Sequence, residues 1–120
     1  MTTVLAKRIA WRRRNVPHHY IGALLSFGAG IRLVGREPAT GIELALSIPF
    51  EEIEDVRASA APDDELVGGQ SVVLDLAEAD AVLLREIGGG PLGTAELAAR
   101  LERLRAPWAR RARTLGVAKT

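Results

Sequence analysis

Apolar and polar residues alternate along most of the chain from residue 20 to residue 87, and this period of two predicts half-buried β-strands. The clearest example is the stretch 42–48, in which Ile42, Leu44, Leu46 and Ile48 alternate with Glu43, Ala45 and Ser47. The same pattern predicts further strands over residues 20–27, 31–36, 53–58, 72–77 and 81–87. Turns rich in glycine, proline and acidic residues separate these strands. The strand at 53–58 is short and charged, so we expect it near an edge of a sheet.

Residues 4–11 fit two patterns. A strand would place Leu5, Ile9 and Trp11 on one face, whereas a helical turn would also bring Leu5 next to Ile9. We favour a strand or an extended arm, within a basic N-terminal arm over residues 1–19.

A spacing of four, three and four residues predicts one amphipathic helix near the C-terminus, because this spacing keeps side chains on one helical face. The residues with that spacing are Leu97, Leu101, Leu104 and Trp108. Thr94 can cap the start of the helix. Pro107 is expected to end it near Ala106, since proline lacks the backbone N–H that helical bonding needs. A basic tail would then occupy residues 107–120.

Short strands joined by tight turns must run antiparallel, because parallel neighbours need crossovers of a dozen or more residues. The sequence therefore predicts a mainly β (α+β) fold, an antiparallel six- to seven-stranded barrel or sandwich capped by one C-terminal α-helix. We expect one domain over residues 1–120. The irregular stretch 59–69 is expected to be the most mobile loop.

The charges are distributed unevenly along the chain, although the net charge is only +1. Residues 37–99 carry fourteen acidic residues against two arginines, and the segments on either side carry fourteen basic residues against one acid. One interpretation is that these charges compensate each other within one fold or between copies. The other is that the basic ends form a patch for an anionic surface.

Two basic clusters, each with a tryptophan beside it, are the candidate site for an anionic surface. They comprise Lys7, Arg8, Trp11, Arg12, Arg13 and Arg14 at the N-terminal end, and Arg110, Arg111 and Arg113 near Trp108 at the other. Indole beside arginine suits a membrane interface or base stacking. It suits equally well two tryptophans buried in the core beside solvated arginines, which is the interpretation we favour. The acidic middle of the chain argues against nucleic acid.

Sequence motifs for catalysis or metal binding are weak. His18 and His19 are adjacent, so on an extended segment they point in opposite directions and rarely bind one metal together. The acidic run 63–65 would need a tertiary contact with His18 to complete a site. The glycine-rich stretch 88–93 lacks the lysine of a phosphate-binding loop. The chain has no cysteine. We therefore expect no enzyme activity, no metal and no cofactor.

The order of elements over about residues 20–105 resembles the pleckstrin-homology-like superfamily, in its small bacterial and GRAM-type forms. The likeness is carried by a strand at 20–27, a hairpin through Gly28 and Gly30, a strand at 31–34, and the closing helix. It is also carried by the phrase IPFEEIEDV at 48–56, which is similar to the start of the fourth strand in that superfamily. The first hairpin loop lacks the basic pair typical of phosphoinositide-binding members.

The resemblance implies a non-enzymatic binding module. We expect it to bind a protein partner or to self-associate, as an interaction or scaffolding module. The alternative is peripheral binding to anionic lipid headgroups through the basic N-terminal arm. The expected location is the cytoplasm, with or without peripheral membrane contact.

Overall fold

Seven antiparallel β-strands and one C-terminal helix make up the fold. The computed structural model describes residues 5–88 and 90–119, without the side chains of residues 79, 90–92 and 109–119. The elements are β1 (Ala6–Arg13), β2 (Tyr20–Phe27), β3 (Gly30–Arg36), β4 (Glu43–Pro49), β5 (Ile53–Ser59), β6 (Ser71–Leu76), β7 (Ala81–Glu86) and α1 (Gly90–Lys119). Short 3-10 turns follow β4, β5 and β6. The predicted antiparallel β fold with one closing helix is confirmed.

The strands form one sheet in the order β4-β3-β2-β1-β7-β6-β5. Strand β1 lies at the centre, paired with β2 through Ala10 and Ile21 and with β7 through Ala10 and Arg85. The strand predicted within residues 4–11 is therefore confirmed over the described residues 6–11, and residues 6–13 are not a separate arm, because both edges of this segment carry ladder bonds. The two edge strands are β5, as expected from its charges, and β4.

The inner face of the curled sheet holds the main core. Leu5, Ile9 and Trp11 all point into it, as the strand alternative for residues 4–11 requires. The Trp11 indole stacks on Tyr20, with ring centroids 4.9 Å apart, and donates a hydrogen bond from Nε1 to the carbonyl oxygen of Val34 at 3.1 Å. Gly35 lies against Nε1, where an added Cβ would be only 2.9 Å from that atom. The indole therefore requires glycine beneath it.

Helix α1 packs against the β5–β7 half of the inner face. Leu97 and Leu101 are buried, and Leu104 and Trp108 pack partly buried against the same core, so the predicted apolar face of the helix is confirmed. Arg105 donates to the carbonyl oxygen of Ile53 at 2.9 Å and fixes the helix on β5.

Both predicted ends of the helix are wrong. Helix α1 begins at Gly90, so Thr94 lies inside it, and it continues through Pro107 to Lys119, so residues 107–119 are not a separate tail. A proline removes only one backbone donor. Leu104 and Trp108 anchor the helix to the core on either side of Pro107, and this packing offsets the lost bond.

Candidate functional site

Among the residues that the structure describes, one half of the outer face of the sheet is covered and the other is not. The segment at residues 60–70 lies over the β1–β7–β6 half, where Leu66 is buried in a second cluster with Ala10, Val73, Ala81 and Leu83. The expectation that residues 59–69 form the most mobile loop stays a prediction, but the segment is packed on the sheet rather than extended into solvent. The apolar Leu66 and the polar contacts of its neighbours tie the segment to the sheet.

Two arginines hold the covering segment through its backbone. Arg12 donates to the carbonyl oxygens of Asp63 and Glu65 at 3.3 and 3.2 Å. Arg85 donates to the carbonyl oxygens of Leu66 and Val67 at 3.1 and 3.0 Å. Both guanidinium groups are thus used inside the molecule, where each satisfies carbonyls of a segment that has no ladder partner of its own.

Most of the predicted N-terminal basic cluster pairs with the acidic middle of the same chain. Lys7 bonds Glu86 at 3.2 Å, Arg13 bonds Asp80 at 2.7 Å, and Arg14 bonds Asp64 at 2.8 Å. Compensation of charges within one fold therefore describes these three residues, and it leaves few of the N-terminal cations available to an anionic surface.

Trp11 is buried in the core, whereas Arg8 is exposed on the surface. Trp11 has 0% of its surface exposed, so its assignment to an anionic-surface site is wrong and its assignment to the core is confirmed. Arg8 is exposed, and its side chain makes no hydrogen bond or ion pair with the described part of the chain, although its carbonyl oxygen accepts from the N–H of Ile87 at 3.0 Å. The side chains of Arg110, Arg111 and Arg113 lie outside the described residues.

The uncovered half of the outer face is apolar along β2. Ile21, Ala23, Leu25 and Phe27 all point outward, because alternate residues of a strand share a face. Leu25 is 37% exposed and Phe27 is 45% exposed. We call this surface the outer apolar face; it comprises Ile21, Ala23, Leu25 and Phe27, with Val34 and Ala45 beside them on β3 and β4.

Two shallow depressions flank Ile21 on this side of the sheet. One, of about 530 Å³, extends across β3 and β4 and is lined by Val34 and Ala45. The other, of about 420 Å³, lies between β1 and the covering segment and is lined by Ala10, Val67 and Ile87. The two depressions meet at Ile21, and we refer to them together as the groove; it is also lined by charged residues, Arg36 and Glu43 on one side and Arg85 and Glu86 on the other.

Arginines stand beside the outer apolar face at regular positions. Arg8 on β1 is opposite Ala23, and Arg32 on β3 is opposite Leu25. Arg36, opposite Ile21, pairs with Glu43 at 2.6 Å, but both partners are mostly exposed. An exposed pair of this kind is worth ~0–1 kcal/mol, so an incoming carboxylate can compete for the guanidinium.

Val67 has a strained backbone at the rim of the groove. Its φ of 51° lies in the left-handed region, which a β-branched residue rarely adopts. It forms a tight turn with Gly68, closed by hydrogen bonds between Leu66 and Gly69 at 3.1 and 3.3 Å. The turn exposes 55% of an apolar side chain beside Ile87. Backbone strain of this kind is concentrated at functional sites in proteins.

Asp64 is a buried carboxylate in the segment at residues 60–70. It accepts hydrogen bonds from Arg14 at 2.8 Å and from Ser59 at 2.7 Å, and Arg57 lies 3.7 Å away. Burial by itself raises the pKa of Asp64, but the bonds from Ser59 and Arg14 and the charges of Arg14 and Arg57 outweigh it. The pKa of Asp64 is therefore below its ordinary value, and the group serves as a fixed anion that anchors the covering segment.

His18 lies near Glu37 and not near the acidic run at 63–65. Its Nδ1 is 3.5 Å from Glu37 Oε1. Hydrogen bonds from the Thr40 side chain and backbone hold the pKa of Glu37 below its ordinary value, with a smaller contribution from the nearby histidines. Among the described residues, no group of three His, Asp or Glu side chains is arranged to hold a metal ion. The described helix is also too polar to cross a membrane.

The sequence analysis missed the outer apolar face. Both alternating sets of β2 contain large apolar residues, Leu24 in one and Leu25 and Phe27 in the other. A strand with two apolar faces is a signal that the second face contacts something. A period of two alone does not tell which of two apolar sets faces the core.

No protein-family model matches the chain, and no curated protein matches it. Among solved structures, it is similar to the C-terminal domain of an unknown protein from Leishmania infantum. That similarity has a TM-score of 0.59 at 13% sequence identity and covers 88% of this chain and 84% of the other. At this identity the likeness concerns the fold alone.

Proposed function

We propose that this protein is a non-enzymatic interaction module whose outer apolar face binds a segment of another protein that carries aliphatic and acidic side chains. The observation that carries the proposal is the uncovered apolar strip along β2, with Leu25 and Phe27 exposed beside Arg8 and Arg32. Aromatic residues and arginine are enriched at protein interfaces, and both occur on this strip.

The shape of the groove favours a protein segment over a membrane surface. A depression on each side of Ile21 can take individual side chains of an extended or helical segment, as ligand-binding clefts do. A flat bilayer would contact only the rim. The strained turn at Val67 supports the same proposal, since it presents an apolar side chain to the groove at the cost of backbone strain.

The charges also favour a partner with a few acidic residues. Lys7, Arg13 and Arg14 already pair with carboxylates of the chain, so peripheral membrane binding through the N-terminal cluster has few free cations. Arg8 and Arg32 remain beside the apolar strip, and their charges suit one or two carboxylates flanking an aliphatic residue.

We also propose a relationship to the pleckstrin-homology-like superfamily and a cytoplasmic location. The seven-stranded antiparallel sheet closed by a C-terminal helix supports the first. For the second, we rely on the composition of the chain, which is cysteine-free. The proposed interaction depends on neither.

Selection from a library of random linear peptides tests the proposal. Peptides enriched on the wild-type protein should combine aliphatic with acidic residues, and Phe27→Glu and Arg32→Glu should each weaken their binding by about tenfold or more. Ala58→Lys on β5, an exposed position far from β2 in the sheet order, is the matched control and should bind like wild type.

Vesicle sedimentation separates the membrane alternative. Pelleting with phosphatidylserine vesicles but not phosphatidylcholine vesicles, lost in Phe27→Glu, would assign the same face to a membrane and overturn the proposal. Enriched peptides that bind wild type and Phe27→Glu equally well would also overturn it, because the face would then play no part.

A further inference from the structure

Strand β4 has an edge that pairs with no described strand. Its sequence, extended by Ile42, reads almost the same in both directions about Ala45: Ile-Glu-Leu-Ala-Leu-Ser-Ile over residues 42–48. Ile42 and Leu44 are 61% and 41% exposed, although they alternate in phase with the buried Ile48. The edge therefore has a self-complementary pattern and an uncovered apolar side.

The backbone directions along β4 follow from the hydrogen bonds at its two ends. The carbonyl oxygen of Ile42 accepts from the N–H of Glu37, and the N–H of Phe50 donates to the carbonyl oxygen of Ala29, both at 2.9 Å. The backbone N–H and C=O groups of the even-numbered residues of β4 therefore point toward β3. Because these groups alternate in direction along a strand, those of Glu43, Ala45 and Ser47 point to the open edge.

The two edge strands differ in how well they are protected against pairing with a further strand. Strand β5 carries Glu54, Asp55 and Arg57, has an irregularity in its pairing between Ile53 and Asp55, and is contacted by helix α1. Charges and bulges of this kind discourage strand addition. Strand β4 carries a single charge, at Glu43, and its proline lies at the far end, at Pro49. Only the β4 edge has an unprotected central stretch.

We propose that a second copy of this chain pairs with β4 in antiparallel fashion, about a twofold axis at Ala45. In this register Ala45 faces Ala45 of the other copy, and Glu43 faces Ser47 in both directions. These three pairs exchange six backbone hydrogen bonds, since each pair of this type exchanges two. The result is a continuous sheet through two copies, with a closed twofold interface.

The register is specified by side chains as well as by backbone groups. It places Leu44 opposite Leu46 and Ile42 opposite Ile48, so the exposed apolar residues of each copy cover those of the other. Glu43 does not meet Glu43, which avoids a like-charge pair. A shift to an axis at Leu46 would put Pro49 opposite Glu43 and lose donors, because proline has no N–H.

This inference does not rest on the proposed function. It concerns the backbone edge of β4, whereas the proposed partner contacts chiefly the strip along β2; Ala45 borders both surfaces, so Phe27 is the position that separates the two proposals. Phe27→Glu should therefore leave the mass of the assembled protein unchanged while it weakens peptide binding by about tenfold or more. Peptide binding therefore tests the proposed function, and the mass of the assembled protein tests the pairing of two copies.

A single cysteine tests the register, because the chain has none of its own. Ala45→Cys places two thiols across the axis at a Cα separation of about 5.5 Å, within the range that a disulfide spans. Mild oxidation should convert most of this variant into a covalent dimer. In Ser47→Cys the equivalent cysteines are four residues out of step, about 13 Å apart, and in Ala58→Cys they lie on the other edge, so both should stay monomeric.

Opposite charges introduced at position 45 in two separate variants test whether the chain is in equilibrium between monomer and dimer. Sedimentation should give twice the 12.9 kDa chain mass for wild type, and the single-chain mass for Ala45→Lys and for Ala45→Asp, each of which opposes like charges. An equimolar mixture of the two variants should recover the dimer. A wild-type chain that remains monomeric at ~1 mM, or equal cross-linking of Ala45→Cys and Ser47→Cys, would overturn the proposal.

Discussion

The contacts of Asp64 predict a large and pH-dependent effect of removing one charge. Asp64, in the covering segment at 60–70, is only 5% exposed. It contacts Arg14, which directly follows β1, and Ser59 and Arg57 of β5, so it joins the segment to both strands. The substitution Asp64→Asn keeps the size of the side chain and removes its charge. The Nε of Arg14 is buried without a partner, so this guanidinium has little freedom to seek another acceptor.

The expected loss of stability follows from the hydrogen bonds. A hydrogen bond to a charged group contributes about 1.5–3 kcal/mol, and Asp64 accepts two. Asparagine retains one acceptor oxygen, so we expect Asp64→Asn to lower the free energy of unfolding by about 2–3 kcal/mol near neutral pH. This is a substantial part of the ~5–15 kcal/mol typical of a domain.

The pH dependence has a definite sign. Because the folded-state pKa of Asp64 is lowered, its contribution to stability is fully present above the unfolded-state pKa of about 3.9. It is lost as the pH falls through the lower folded-state pKa. The difference in stability between wild type and Asp64→Asn should therefore be largest at pH 7 and should shrink in strong acid.

Urea unfolding followed by tryptophan fluorescence measures the effect, since Trp11 is fully buried in the fold. At pH 7 the midpoint of Asp64→Asn should fall by roughly 1 M with an unchanged slope. The neighbouring, exposed Asp63→Asn is the control, with an expected change within about 0.5 kcal/mol. Equal losses in the two variants, or a loss at Asp64 that does not shrink in acid, would refute the reasoning.

Three further substitutions test other parts of the fold. Leu101→Ala, at a buried position of α1, should cost about 2–5 kcal/mol in urea unfolding, and a cost below 1 kcal/mol would contradict the helix packing. Val67→Asn should raise stability by about 1 kcal/mol, because asparagine tolerates the left-handed conformation; an equal gain from Val67→Ala would exclude this cause. Gly22→Ala should cost about 3 kcal/mol or more, since its Cβ would lie 2.1 Å from the carbonyl oxygen of Val34. A wild-type melting temperature for Gly22→Ala would show that the strands separate there easily.

The strands, and the inward faces of β1 and α1, could be predicted from local sequence. Leu5, Ile9 and Trp11 lie on one face because of the two-residue period of a strand, and Leu97 and Leu101 on one face because of the helical period. Both patterns require only neighbours in sequence. The candidate site could not be predicted in this way, because it depends on tertiary contacts: Lys7, Arg13 and Arg14 pair with carboxylates of the acidic middle of the chain.

The ends of the helix were predicted incorrectly, and the packing of the segment at 60–70 on the sheet was not predicted, for one reason. Both predictions rest on local preference: proline disfavours a helix, and polar residues favour a solvated loop. Packing against the core overrides these preferences. Leu104 and Trp108 keep α1 helical around Pro107, and the burial of Leu66 holds an otherwise polar segment in place.

By itself the sequence determined the class of fold, since periodicity and turn spacing are local properties that survive in any arrangement of the strands. Only the tertiary structure decided that β1 is central, that the covering segment leaves β2 bare, and that β4 has an open edge. Each of these depends on contacts such as that of Ile9 with Glu86, between residues far apart in the chain. No local pattern specifies which of several apolar strands lie next to each other in the sheet. Both functional proposals depend on that strand order.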